Sequence, residues 1–224
     1  MRQWSVVVVL GLAASLSAAP AERMFAQVSD ADGMAGERIG VGEMTATAST
    51  TLCEKNKACH GPELLFDGKN ATAWCEGLPD DGVGATLTFV FKKPERLSGI
   101  YVVPLYAKSF ALAEQNGRPA TVDLTTDSGT FTAELDDIVP VVRKRNPVKE
   151  DNDDCGDETC LSRDQRIGSY GQSITFGRYS KGDRGDFTAT PVTTTKLVIT
   201  LREVYKGKRF RDTCMSRLDI IRAK

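Results

Sequence analysis

The chain has 224 residues, a formal net charge of −1 and 41% hydrophobic residues. Once a targeting segment is removed, about 200 residues remain, which is enough for one domain with a full core. Because acidic and basic side chains are interspersed and nearly balanced, the composition excludes the strongly basic proteins that bind nucleic acid or anionic membranes.

The N-terminus has the pattern of a secretory signal peptide. Arg2 supplies a positive start, residues 6–16 form an apolar stretch too short to span a bilayer, and Ala19-Pro20-Ala21 is an A-x-A cleavage signal. We predict cleavage after Ala21, with Ala18 as the alternative. No later segment is apolar enough to be transmembrane, so we expect a secreted or periplasmic protein.

The next segment, residues 22–45, shows no clear period and is expected to be a flexible leader to a domain spanning 46–224. From there on, short segments alternate with period two; Leu87, Phe89 and Phe91, for example, share one face. No long stretch has helical periodicity, so the pattern predicts an antiparallel β-sandwich. The predicted strands are 45–51, 85–91, 98–106, 120–126, 129–135, 195–205 and 216–222.

Residues 143–190 interrupt this pattern with a charged, then glycine-rich stretch. We predict a long loop insertion, and such loops in compact domains are functional or disordered. Residues 150–158 are dense in carboxylates, but Cys155 and Arg163 stand where an EF-hand needs oxygen ligands. We interpret the run as a solvated acidic loop, with a weak calcium site as the alternative.

Six cysteines in an exported chain predict three disulfides, and the sequence alone does not choose among the 15 possible pairings. Spacing favours the close pairs Cys53–Cys59 and Cys155–Cys160, which leaves Cys75 with Cys214. The long-range bond is expected to stabilise the fold most. A zinc site is disfavoured, because the C-x-x-C spacing and the reducing compartment that such sites favour are both lacking.

Candidate catalytic residues are few. His60 is the single histidine, so a Ser-His-Asp or Cys-His site would depend on it. The chain has no G-x-S-x-G, H-E-x-x-H or P-loop motif. We therefore interpret His60 as an ordinary turn histidine and predict that the protein is not an enzyme.

Four segments carry a family resemblance: "LFDGKNATAWCEG" (64–76), "DDGVGATLTFVF", "NGRPATVDL" and "LREVYKGKRFRDTCMSRLDII". Together they resemble the discoidin-like domain that precedes bacterial NAD-glycohydrolase toxins, a module described as glycan-binding or translocating. The resemblance covers roughly residues 46–222. It implies the galactose-binding-like jelly roll, an all-β antiparallel sandwich whose end loops carry the ligand site. The sequence reaches Lys224 without an NAD-hydrolysing segment, so the toxins' enzyme activity is not expected here.

The resemblance also implies a comparison with a calcium loop. In many galactose-binding-like domains, a D-G-D-x-x-T loop and a glutamate on the last strand hold a structural calcium. Asp67 and Thr72 match that loop, but Lys69 and Arg217 stand at the two other acidic positions. Two positive charges beside a divalent cation cost on the order of several kcal/mol. We therefore predict no calcium in this loop; apart from the calcium alternative for 150–158, we expect no metal and no cofactor.

A polar corner fastened by the Cys75–Cys214 bond is expected in place of the metal. Its predicted members are Asp67, Thr72, Trp74, Glu76, Asp212 with Thr213, and Arg217. We expect Asp67 and Glu76 to pair with Arg217 or Lys69, and Trp74 to be a core residue rather than a sugar platform. Asn70-Ala71-Thr72 matches an N-glycosylation sequon, which we interpret as accidental in a bacterial protein.

For a ligand site we look to aromatic and polar loop residues, because sugars stack on aromatic faces and bind hydrogen-bonding side chains. The candidates are Tyr106, Lys108, Asn116, Arg118 and Tyr205. The function this favours is a secreted, non-catalytic module that recognises a glycan or a cell-envelope surface. The alternative is an adaptor that binds another secreted protein through the 143–190 loop.

Overall fold

The computed structural model describes residues 26–29, 36–55, 58–138, 170–181 and 187–224. The predicted signal peptide, the Cys155–Cys160 pair and the acidic loop 150–158 lie outside these residues. Within the described ranges, no helix has the length and hydropathy needed to cross a membrane.

Strands make up most of the described chain. There are short 3₁₀ turns at Val41–Glu43 and Pro62–Phe66, and a helix α1 at Phe110–Gln115. The strands are β1 (Ala26–Ser29), β2 (Glu37–Arg38), β3 (Met44–Ala48), β4 (Trp74–Cys75), β5 (Thr86–Val103), β6 (Arg118–Thr126), β7 (Gly129–Glu134), β8 (Gln172–Phe176), β9 (Arg178–Lys181), β10 (Phe187–Thr190), β11 (Val192–Tyr205), β12 (Cys214–Met215) and β13 (Arg217–Arg222).

The long strand β5 belongs to both layers of the sandwich. Its first half pairs antiparallel with β3 and β11, and β11 continues the layer to β6 and β7. Its second half pairs with β13 and β8, and β8 pairs with β1. Between the halves, the pairing with β11 jumps from Val90↔Lys196 to Glu95↔Thr194. The extra residues include Pro94, and such a bulge bends a strand enough to pass from one layer to the other.

The hydrophobic core lies between the two layers. Phe131 on β7 and Phe176 on β8 belong to strands that do not pair, yet their ring centroids are 5.3 Å apart. Leu87 and Phe89, on the face predicted from the alternation, are at most 1% exposed. The all-β antiparallel sandwich predicted from the sequence is confirmed.

The structure differs from the sequence-based prediction in several of its strands. β5 runs unbroken from Thr86 to Val103, where two separate strands, 85–91 and 98–106, were predicted. The span predicted as a loop insertion, 143–190, contains β8, which lies between β1 and β5, and the hairpin pair β9 and β10. The segment expected to be a flexible leader contains β1 and β2, which extend the second layer on β8 and β13. These strands are short and have few large apolar residues, so their pairing partners, not their own pattern, define them.

Candidate functional site

Four segments meet at one end of the sandwich, and we call this the disulfide end: residues 49–60 (described at 49–55 and 58–60), 76–85, 104–117, which contains α1, and 206–213. At its centre, β4 and β12 form a two-stranded ladder in which Cys75 faces Cys214, and their sulfurs are bonded. The second predicted bond, Cys53–Cys59, is also formed and lies in an exposed loop beside this ladder. The amide of Leu52 donates to the carbonyl of Cys75 over 2.8 Å, which ties that loop to the ladder.

Glu76 organises the interior of this end. Its carboxylate is fully buried and accepts the amides of Leu78 over 2.6 Å and Thr213 over 3.1 Å. Burial raises the pKa of Glu76 above its ordinary value, against the two backbone amides, which lower it. Gly82, at φ +79°, lies so close that a Cβ there would overlap the Glu76 side chain. Glu76 therefore joins the 76–85 and 206–213 loops from within.

Trp74, which the sequence places in the same corner, lies in the core. Its side chain is fully buried, and its Nε1 donates to the carbonyl of Thr50 over 3.2 Å. The indole thus satisfies its one donor on the 49–60 loop, so it presents no face to a sugar.

The Asp67 loop closes on itself. Its carboxylate accepts the backbone amide of Lys69 over 2.8 Å and the hydroxyl of Thr72 over 2.9 Å, with Gly68 at φ +73° in the turn. This is an Asx turn, in which an aspartate caps its own chain two residues on. Among the described residues, no three His, Cys, Asp or Glu side chains converge as a metal site would need.

The pairing expected for Arg217 is wrong. Its guanidinium pairs with Asp219 at 2.9 Å and lies 5.5 Å from the ring centroid of Tyr101. Positions 217 and 219 share one face of β13, because side chains two apart on a strand project to the same side. Neither Asp67 nor Glu76 makes an ion pair with Arg217 or Lys69 in the described part of the chain; both accept backbone amides instead.

His60 is held by structural contacts. Its Nδ1 lies 3.3 Å from the carbonyl oxygen of Ala73, its Nε2 lies 3.8 Å from Glu54, and its ring meets Tyr106 edge-on with centroids 5.8 Å apart. Asp212 lies close enough to interact electrostatically with the imidazole. Burial raises the pKa of Asp212, and the interaction with His60 lowers it in part. These contacts place the histidine as a link between three loops.

The 206–213 loop is docked on the end of α1. The amides of Arg209 and Phe210 both donate to the backbone carbonyl of Gln115, over 3.1 and 2.8 Å. The amide of Lys208 donates to the backbone carbonyl of Glu114 over 3.1 Å. A Cβ at Gly207 would overlap that same Gln115 carbonyl. The loop thus satisfies carbonyls that a helix end leaves open, and this fixes its backbone.

Phe210 stands out on this loop. It is 36% exposed, more than any other aromatic residue whose side chain the structure describes. The guanidinium of Arg209 lies 5.0 Å from its ring centroid, a cation–π geometry. Arg211 follows and is exposed. The loop therefore presents an aromatic side chain between two guanidinium groups.

The five ligand candidates from the sequence divide into two groups. Arg118 is buried, pairing with Asp137 at 2.8 Å and donating to the carbonyls of Ala113 and Asn116. Buried Asn116 donates to Leu112, and the Tyr205 hydroxyl donates to Leu135. Arg118 begins β6, Tyr205 ends β11 and Asn116 follows the last residue of α1, and all three side chains donate to groups of the protein itself.

Tyr106 and Lys108 remain at the surface. Tyr106 is half-buried against His60, whereas Lys108 is exposed. Sequence reasoning missed Phe210 and its flanking arginines. The signal was present in "KGKRFRD", where four basic residues surround one phenylalanine, but nothing in that string shows that the loop is docked and the ring exposed.

A family model for the NAD glycohydrolase translocation F5/8 type C domain matches residues 39–220. The chain belongs to this family. The match starts a few residues before β3 and ends inside β13, so it includes every loop of the disulfide end. The resemblance stated from the sequence is confirmed. No curated protein sequence matches the chain.

Solved structures with a similar chain trace include two modules from Clostridium perfringens. The CBM32-3 module of a family 31 glycoside hydrolase has 14% identity and a TM-score of 0.46, covering 83% of this chain and 94% of that one. The family 32 CBM of NanJ, solved with galactose, has 15% identity and a TM-score of 0.42, covering 82% and 96%. The arabinofuranosyltransferase AftD from mycobacteria has 14% identity and a TM-score of 0.48, with 88% of this chain on 11% of that one.

Proposed function

We propose that this domain is an exported, non-catalytic binding module that recognises a glycan through the disulfide end. The observation that carries the proposal is Phe210, an exposed aromatic side chain on a loop whose backbone is fixed by three hydrogen bonds to α1. Part of this ring is open to solvent, where a sugar ring can pack against it. Hydrogen-bonding guanidinium groups beside the ring supply the polar contacts that orient a sugar.

The surroundings of Phe210 support a preformed site. The Cys75–Cys214 bond lies four residues along the chain, and the Asp212 carbonyl accepts the amide of Gly117 over 2.9 Å. Tyr106 and His60 form an edge-on pair near Asp212. Because these contacts order the loop before any ligand arrives, binding would lose little conformational entropy.

The contacts of His60 support the proposal that the module is not catalytic. The imidazole is engaged with a backbone carbonyl, a carboxylate and a tyrosine ring. No described cysteine is free to act as a nucleophile. The adaptor alternative concerns residues 143–190, of which 143–169 and 182–186 lie outside the described residues, so it stays a prediction.

A glycan array tests the proposal. We expect the mature protein to bind a defined set of oligosaccharides, and Phe210→Ala to weaken that binding at least tenfold without changing the melting temperature. Val83→Ala is the matched control, since Val83 is an exposed apolar residue on another loop of the same end. Absence of binding to every oligosaccharide, or equal binding by Phe210→Ala, would overturn the proposal.

A further inference from the structure

The charges of the 206–213 loop are only partly neutralised. Lys206 pairs with Asp81 at 3.3 Å, and Lys208 pairs with Glu114. The two arginines differ from the two lysines: within the described residues, neither Arg209 nor Arg211 has a carboxylate partner. The loop thus presents two uncompensated guanidinium groups.

These two groups are displayed from a fixed backbone. Arg209 and Phe210 donate their amides to one carbonyl of α1, and Gly207 permits the close approach. On the other side, the amide of Cys214 donates to Gly117 over 3.1 Å, so both ends of the loop are held. Two like charges kept two residues apart repel each other, and a bound anion would remove that repulsion.

A guanidinium recognises a carboxylate better than it recognises a hydroxyl. Its planar donors match the two oxygens of a carboxylate, and the charge-assisted bonds are roughly twice as strong as neutral ones. A neutral sugar would leave both charges without a counterion. A sugar bearing a carboxylate would supply the ring for Phe210 and the anion for the arginines together.

We propose that the disulfide end selects acidic glycans, meaning pyranose sugars that carry a carboxylate, with Phe210 against the sugar and Arg209 and Arg211 on the anion. This inference rests on the proposed glycan-binding function and specifies its ligand class. It predicts that removing Arg209 and Arg211 lowers the affinity for an acidic glycan more than removing two other positive charges of the same loop does.

The test compares matched probes on the folded, mature protein. The probes are oligogalacturonate beside its carboxyl-reduced counterpart, and sialyllactose beside lactose, with polyglutamate as an anion without sugar. We expect at least one acidic probe to bind at least tenfold more tightly than its neutral partner. Arg209→Gln with Arg211→Gln should abolish that difference, whereas Lys206→Gln with Lys208→Gln, which removes the same charge, should preserve it.

Each other outcome overturns the inference in a distinguishable way. Equal binding of acidic and neutral partners, lost on Phe210→Ala, would leave the glycan-binding function and remove the acidic preference. If the two double variants weakened binding of the acidic probe equally, or if polyglutamate bound as tightly as that probe, net charge alone would explain the preference. Absence of binding to these probes and to the array would remove both proposals. Melting curves of the double variants establish that each has folded.

Discussion

Cys75 and Cys214 lie opposite each other in a two-stranded ladder, although 139 residues separate them in the chain. Their bond joins the segment that carries buried Glu76 to the segment that carries Thr213, and the Thr213 amide donates to the Glu76 carboxylate. The bond and the buried hydrogen bond therefore fasten the same two loops. The geometry makes this end rigid, which matters because the exposed Phe210 is part of one of those loops.

Removing the long-range disulfide should cost much more stability than removing the short one. The loop-closure estimate gives about 5 kcal/mol for the 139-residue separation and about 2 kcal/mol for the six-residue separation of Cys53–Cys59. Urea denaturation of Cys75→Ser with Cys214→Ser, compared with Cys53→Ser with Cys59→Ser, measures the two losses. Equal losses would contradict this ranking.

Glu76 gives the protein a pH dependence of defined sign. Because burial raises its pKa in the folded state, its contribution to stability is fully present below its ordinary value of 4.5 and declines as the pH rises above that value. Glutamine does not titrate. The unfolding free energy of the wild type minus that of Glu76→Gln should therefore be more positive at about pH 4 than at about pH 7.

The control for this titration is Glu134→Gln, since Glu134 is exposed on β7. Urea unfolding of the three proteins at both pH values isolates the Glu76 contribution. A difference that grows toward neutral pH would mean that the fold favours the ionised carboxylate.

At the opposite end of β13 lies a buried carboxylate, that of Glu95, whose main partner is Arg222 and whose other oxygen lies 3.9 Å from the exposed Lys93 amine. Arg222 donates to Glu95 over 2.6 Å and to Glu43 over 2.7 Å, and the Glu95 side chain is 4% exposed. The other oxygen of Glu95 has no hydrogen-bond partner in the described structure. Arg222→Met would leave this buried carboxylate with only the distant, exposed Lys93 as a counterion, at a cost of about 3 kcal/mol.

Two further variants test that explanation. Arg38→Met removes an exposed arginine that contacts Asp219, and should cost about 0–1 kcal/mol. Adding Glu95→Met to Arg222→Met should recover most of the loss, because the buried carboxylate is then gone. If the double variant were as unstable as the single one, the loss would come from packing instead.

Gly207 should matter for binding more than a surface glycine normally does. A methyl group there would overlap the Gln115 carbonyl and push the loop away from α1. We expect Gly207→Ala to weaken binding to the array-selected oligosaccharide at least fivefold, measured by titration calorimetry. Gly42→Ala is the matched control, because no atom lies within 4 Å of the Cβ it would add. Equal affinities of both variants would show that the docked position is not required.

Much of the scaffold followed from the sequence because its signal is local. Alternation identified the inward face of Leu87 and Phe89, and cysteine spacing favoured two bonds that the structure contains. Among the strands that escaped prediction, β1 and β8 are four and five residues long, and β8 is held between β1 and β5. Such pairing joins segments that are far apart in the chain, and the residues of one short strand do not show which other strand it will pair with.

The candidate site was less predictable because it depends on exposure. Arg118 and Phe210 both occur in loop-like strings, yet the first is buried on Asp137 and the second is exposed. Residue type alone predicts the reverse, because arginine is usually exposed and phenylalanine is usually buried. The difference arises from β6, which turns Arg118 inward, and from the docking of the 206–213 loop on α1, which turns Phe210 outward.

Amide chemical-shift mapping tests the central claim most directly. The isotope-labelled mature protein is titrated with an oligosaccharide selected on the glycan array, and the shifts are followed residue by residue. We expect the largest changes at Arg209, Phe210 and Arg211, with smaller ones at Tyr106 and His60, and none around Arg222 at the opposite end. Saturable changes centred on any other surface, with the 206–213 loop unaffected, would contradict the account.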